Sequence, residues 1–198
     1  MFFAVEPSPA LVRRLQAHAA RWNWDAQARR SPPHKLHLTL VFVAAADPEQ
    51  VQALLRLGAR VAATHRGCRL VLDRASVWPQ GGIAHLAPSA VPDALRALQQ
   101  ALHAGARAAG AHPDQRTWRP HLTLARRAQP GQAPREVAPL DWQVRSFSLQ
   151  RSLPGAARYQ TLGRWVLGGS GTGAVGTKGS SAKLCTVPSP PTAASAAQ

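Results

Sequence analysis

Apolar residues along this chain alternate between strand-like runs and helical spacing. Met1 to Val5 is continuously apolar and predicts a short buried strand. Ser8-Pro9 then supplies an N-cap and a first-turn proline, predicting a helix to about Trp22. Residues 23–34 carry polar, basic and proline signals and predict a loop. Leu36 to Val43 (LHLTLVFV) predicts a strand. Asp47-Pro48-Glu49 repeats the helix-start signal, and Val51, Leu54, Leu55 and Leu57 recur at helical spacing to about Ala63. Cys68 to Trp78 alternates around Leu70, Leu72 and Val77, and Pro79-Gln80-Gly81-Gly82 separates it from Ile83 to Ala87, predicting a hairpin. Pro92 to Ala109 predicts a third helix ended by Gly110. His121 to Ala125 predicts a strand, 129–139 a proline-rich loop, and Val144 to Arg151 and Tyr159 to Leu167 two further strands.

This order predicts an α+β fold: bilobal, with two pseudo-symmetric, mostly antiparallel β-sheets, one repeat strand in each, lining a central cleft and helices on the outside. Residues 1–168 form the domain, two lobes with one repeat each. Residues 169–198 are Gly-, Ser-, Ala- and Pro-rich without apolar periodicity. They are expected to be a disordered tail, because they bury too little apolar surface to offset their ordering entropy.

Two strands share the tetrapeptide His-Leu-Thr-Leu, at His37 to Leu40 and His121 to Leu124. Strand alternation sends His37 and Thr39 to one face and Leu38 and Leu40 to the other, and likewise His121 and Thr123 against Leu122 and Leu124. A single His on a strand is usually structural, and Thr is simply a good strand former. Two strands each presenting both would be an odd core, because polar groups buried together need partners. If the strands meet across a pseudo-twofold axis, two imidazoles and two hydroxyls converge on one cleft. One neutral His can then take a proton from water and the other, protonated, donate one to a leaving oxygen, while the Thr hydroxyls hydrogen-bond phosphate oxygens.

Charge narrows the substrate. The chain has 24 basic and 9 acidic residues, net +15, and every basic residue except Lys35, Lys178 and Lys183 is arginine. Guanidinium groups bind phosphate in planar, bidentate geometry, so the field favours a polyanion such as RNA, although Arg-rich composition also follows from genomic bias. Cys68 and Cys185 are the two cysteines, with no CxxC, which fits a reducing compartment without disulfide framework or structural zinc. His34 and His37 lack the helical face that three-residue spacing exploits in metal sites, and no metal is expected. His18, His65, His103 and His112 are expected on helix surfaces or loops, and His85 either packs or lines the cleft. The N-terminus is not a signal peptide, and no apolar run reaches the roughly 20 residues of a membrane span.

At these residues the chain resembles the 2H phosphoesterase family, named for its paired His-x-Thr/Ser-x motifs. Within it, the likeness is to the bacterial RNA 2′,3′-cyclic phosphodiesterases once described as 2′-5′ RNA ligases. The resemblance spans FFAVEP, LHLTLVFV, the Trp78-to-Leu86 hairpin, RPHLTLAR, FSLQRS and RYQTLGRWVL. It implies a bilobal fold and hydrolysis of a terminal RNA 2′,3′-cyclic phosphate to a 2′-phosphate, with no metal or cofactor; separately, the chain is expected to be a cytoplasmic monomer. It also implies His37 as proton donor and His121 as acceptor, which the residues alone leave open, and Thr39 and Thr123 as phosphate ligands. Arg126 sits at a position commonly basic in relatives and is expected to contact phosphate, with Arg127 competing; strand alternation from Thr123 does not by itself place Arg126 on the cleft face. Phe42, where relatives often carry an aromatic, is expected to pack in the core. Relatives usually continue Phe-Leu-Gly where this chain has Phe42-Val43-Ala44-Ala45, so the following turn lacks its usual glycine. Alternatives are the same site acting on small cyclic nucleotide phosphates or on reversible 2′-5′ ligation, or a basic RNA-binding module without catalysis.

Overall fold

Ser8 and Asp47 cap their helices as their positions predict. The Ser8 hydroxyl accepts from the Leu11 amide at 3.3 Å; Asp47 accepts from the Gln50 amide at 2.8 Å while the Gln50 side chain accepts from the Asp47 amide at 3.0 Å, a reciprocal capping box. Each such cap stabilises its helix by about 1 kcal/mol.

The computed structural model describes residues 1–168; the tail expected at 169–198 lies outside the described residues. The elements run β1 (Phe2–Val5), α1 (Pro9–Ala19), β2 (Arg29–Arg30), β3 (Leu38–Phe42), α2 (Pro48–Thr64), β4 (Cys68–Leu72), β5 (Arg74–Trp78), β6 (Ile83–Ala87), α3 (Asp93–Ala108), β7 (Leu122–Arg126), β8 (Leu140–Val144), β9 (Ser146–Arg151) and β10 (Gln160–Val166). The α+β class with antiparallel pairing is as expected.

The main sheet has the order β10-β9-β1-β3-β7-β6-β5, with β2 pairing beside β7, and β4-β8 form a second, two-stranded sheet. The two repeat strands, expected in separate small sheets, meet at one ladder position, Leu38 opposite Leu122. The two halves of the sheet therefore join at the motifs themselves. On one face of the sheet α2 packs on β9, β10 and α3, α3 packs on β3, and Phe3, Leu38, Leu54, Leu86, Leu98, Leu102 and Phe147 are fully buried.

Several boundaries differ from the sequence expectation. α1 stops at Ala19 because Trp22 turns inward and stacks on Trp24, centroids 4.9 Å apart. His18, expected on the helix surface, is buried against Trp22 at 5% exposure. The run Cys68 to Trp78 is two strands in two sheets. The chain switches at Asp73, whose amide donates to the Ala87 carbonyl and whose carboxylate accepts from the Ser89 amide and hydroxyl. β8 and β9 likewise divide at Arg145, whose carbonyl accepts from the Leu167 amide. The loop at 23–34 contains β2, whose two arginines carry no apolar pattern to announce a strand.

The β5-β6 turn is fastened to the end of β7: the amides of Arg127 and Ala128 donate to the carbonyls of Gly81 and Gly82 at 3.4 and 3.0 Å. Gly82 has φ +57, and a Cβ there would lie 2.6 Å from the Ala128 carbonyl oxygen. Gly82→Ala is therefore expected to lower stability by about 1–3 kcal/mol, read by chemical denaturation. Unchanged stability would show that the turn is free to move off β7. Among the described residues no helix is long and apolar enough to cross a membrane.

Candidate active site

A duplicated backbone irregularity builds the site. Along β1 and β3, Phe3 faces Val41 and Ala4 faces Thr39, so Leu40 is an extra residue. Along β6 and β7, Ala84 faces Ala125 and His85 faces Thr123, so Leu124 is the extra residue. These β-bulges occupy the same position in the two motifs, and each shifts the side-chain alternation by one. Leu38, Leu40 and Val41 are buried while Thr39 and Phe42 face out; Leu122, Leu124 and Ala125 are buried while Thr123 and Arg126 face out. The motif leucines are scaffold, as expected.

The bulge decides two residues that simple alternation left open or misplaced. Arg126 joins Thr123 on the cleft face, whereas Arg127 lies past the strand at φ +58, an uncommon conformation for a non-glycine residue. Phe42, expected in the core, is instead 46% exposed and lines the cleft. In the pseudo-symmetric arrangement Phe42 occupies in one half the place that Arg126 occupies in the other.

Thr39, His121, Thr123 and Arg126 line one cleft of about 960 Å³, together with Trp78, Gln80, Ile83, His103, Arg116 and Arg119. His37 is not in that lining. It adjoins it, stacked on Phe2 at 4.8 Å between centroids and edge-on to Tyr159 at 5.4 Å. Lys35 and His34 hold the chain before Tyr159 by donating to the carbonyls of Ala156 and Ala157 at 3.3 and 2.9 Å. His121 has an analogous wall: Trp78 lies 4.6 Å away and His85 5.7 Å away, with Trp78 also against His85. His85 thus packs and borders the site at once. The halves are tied by Trp118, whose indole N–H donates to the Thr39 carbonyl at 2.9 Å.

Both motif imidazoles are oriented alike. His37 Nδ1 lies 2.7 Å from the Lys35 carbonyl and His121 Nδ1 lies 2.8 Å from the Arg119 carbonyl. A carbonyl only accepts, so Nδ1 carries a proton in each ring and Nε2 is the nitrogen left for chemistry. Neutral, that Nε2 accepts a proton; in the imidazolium it donates one.

The electrostatic settings differ. Burial lowers the pKa of both rings, the backbone carbonyl opposes this in each, and the Arg126 charge lowers both further. His37 is also lowered by His121 but raised by the Glu6 carboxylate, which does not act on His121. Glu6 is held in place as the acceptor for Ser148 Oγ at 3.1 Å and Gln150 Nε2 at 2.7 Å, and it pairs with Arg164. Ser148 and Gln150 are buried polar residues on β9, and Gln150 Nε2 also donates to Ser148 Oγ. No local pattern marks Glu6, because its partners lie more than 140 residues away. Among the described residues no three His, Cys, Asp or Glu side chains cluster as a metal site.

The fold and paired motifs define a 2H phosphoesterase, and comparison with known proteins gives the family: the chain belongs to the 2′-5′ RNA ligase superfamily, which it matches over residues 3–155. It is 30% identical over 171 residues to the Escherichia coli (strain K12) RNA 2′,3′-cyclic phosphodiesterase, covering 84% of this chain and 96% of that protein. It is 31% identical over 148 residues to the Thermus thermophilus RNA 2′,3′-cyclic phosphodiesterase, covering 70% and 75%. Its structure matches a crystal structure of a phosphoesterase with TM-score 0.75 and 28% sequence identity over 84% of this chain and 96% of the other.

Proposed function

We propose that this protein hydrolyses 2′,3′-cyclic phosphate ends of RNA to 2′-phosphates, without metal or nucleotide cofactor. The observation that carries this is the pair of imidazoles with Nδ1 tied back to the chain and Nε2 left for chemistry, beside two threonines and one arginine. Neutral His121 Nε2 takes a proton from water as its oxygen attacks phosphorus. The bond from phosphorus to the 3′ oxygen breaks, and protonated His37 Nε2 donates to that oxygen, leaving the phosphate on the 2′ oxygen. Thr39 and Thr123 hydroxyls and the Arg126 guanidinium receive the non-bridging oxygens, where charge builds in the transition state. The Glu6 carboxylate supports His37 as the partner that enters protonated. An oligonucleotide ending in a 2′,3′-cyclic phosphate, incubated in excess chelator, is expected to yield a 2′-phosphate end. An intact end, or a 3′-phosphate product, would overturn the proposal.

Glu6→Gln tests the division of labour. Removing that charge lowers the pKa of His37, because Glu6 raises it. Far on the alkaline side kcat/KM is limited by how much donor stays protonated, and far on the acid side by how much acceptor stays neutral. With His37 as donor, Glu6→Gln lowers the rate along the alkaline limb and leaves the acid limb in place. With His37 as acceptor it would instead raise the rate along the acid limb.

A further inference from the structure

β2 brings two arginines beside the site that the motifs do not account for. Arg29 pairs directly opposite Arg126 and Arg30 opposite Ala125, and the Ser31 amide fixes this register by donating to the Leu124 carbonyl at 2.7 Å. Directly opposed residues of an antiparallel pair project from one face with Cβ atoms about 4.5–5.5 Å apart, and like charges so placed destabilise the sheet. Among the described residues neither guanidinium has a carboxylate partner; the ion pairs are Arg69–Asp141, Arg116–Asp114 and Arg164–Glu6. Asp25, the nearest acid in sequence, is turned into its own loop, accepting from the amides of Gln27 and Ala28 at 2.9 Å each. A repulsive pair without a carboxylate partner, on exposed strand residues beside the cleft, is a pair suited to an anion.

The bulge at Leu124 puts Arg126 on the cleft face, so Arg29 projects on that face too, just outside the cleft lining. Arg30, opposite buried Ala125, projects the other way. In the proposed mechanism the terminal phosphate, which carries a single charge, is met by both histidines, both threonines and Arg126. A second cation one strand outward matches a second phosphate.

We propose that Arg29 binds the phosphate on the 5′ side of the terminal nucleotide, so that Arg126 and Arg29 together clamp two successive phosphates and select polynucleotide ends over free cyclic nucleosides. The proposal builds on the phosphodiesterase function above. Bidentate guanidinium contacts give it geometry as well as charge, and the clamp explains why a two-residue strand of arginines is stitched to the end of β7.

The test uses three substrates: a nucleoside 2′,3′-cyclic phosphate, the same molecule carrying a 5′-phosphate, and a dinucleotide with the cyclic end. Arg29→Ala is expected to lower kcat/KM about 10-fold or more on the two that carry the upstream phosphate, with the first changed by less than about 2-fold. The salt dependence for the dinucleotide should lose about one unit of slope. Arg30→Ala, on the other face, should leave all three unchanged. Calorimetric binding of adenosine 2′-monophosphate and adenosine 2′,5′-bisphosphate gives a readout free of turnover: Arg29→Ala should weaken only the bisphosphate. Equal losses on all ligands, no loss on any, or the same pattern from Arg30→Ala would overturn the clamp. Should the wild type leave the cyclic phosphate intact, the hydrolase function fails while the binding comparison still decides the role of Arg29.

Discussion

Replacing either His37 or His121 with alanine is expected to reduce turnover of a cyclic-phosphate RNA end by about 10²- to 10⁴-fold, the range for losing one positioned acid or base. Folding should survive both changes. The strands are anchored by Leu38, Leu40, Leu122 and Leu124, all buried, whereas the imidazoles are only partly covered. In the proposed mechanism the two proton transfers belong to one displacement, so the double variant should be little worse than the slower single one. Single-turnover rates with circular dichroism as the folding control measure this. Retention of full rate by either folded variant would remove the acid–base mechanism.

Arg126→Ala should follow in size, with a loss of about 10²- to 10³-fold in kcat, comparable to removing one preorganised donor from developing charge. It carries a second signature. The Arg126 charge lowers the pKa of both His37 and His121, so its removal raises both. With a higher donor pKa the alkaline limb of kcat/KM extends upward, and with a higher acceptor pKa the acid limb retreats upward, so the whole profile slides to higher pH. A merely structural arginine would lower the rate at every pH alike. A pH–rate profile of the variant that keeps its wild-type position would show that Arg126 does not act on these histidines.

Much of this site was legible in the chain. Strand alternation in His-Leu-Thr-Leu identified the two polar pairs and assigned the leucines to the scaffold, and the helix starts at Ser8 and Asp47 were specified by capping chemistry that is local. Phe42 and Arg126 were not resolved, because a β-bulge depends on how the partner strands β1 and β6 are registered, and one inserted residue exchanges the faces of everything after it. β2 and the strand switches at Asp73 and Arg145 escaped for a similar reason: they are set by pairings between distant segments. Trp78 and Tyr159 were visible as aromatics, yet nothing nearby says that each walls one motif histidine.

The sequence by itself determined the three helices, most of the strands, the four polar groups of the motifs and the basic field, since periodicity, capping and charge are properties of neighbouring residues. The tertiary structure alone decided what makes the two equivalent motifs unequal. Glu6 reaches the environment of His37 through Ser148 and Gln150, while Trp78 and His85 border His121, and Arg126 with Arg29 stands opposite in the pseudo-symmetry to apolar Phe42. Identical tetrapeptides cannot carry different proton affinities. Only the distant segments folded against each of them can do so.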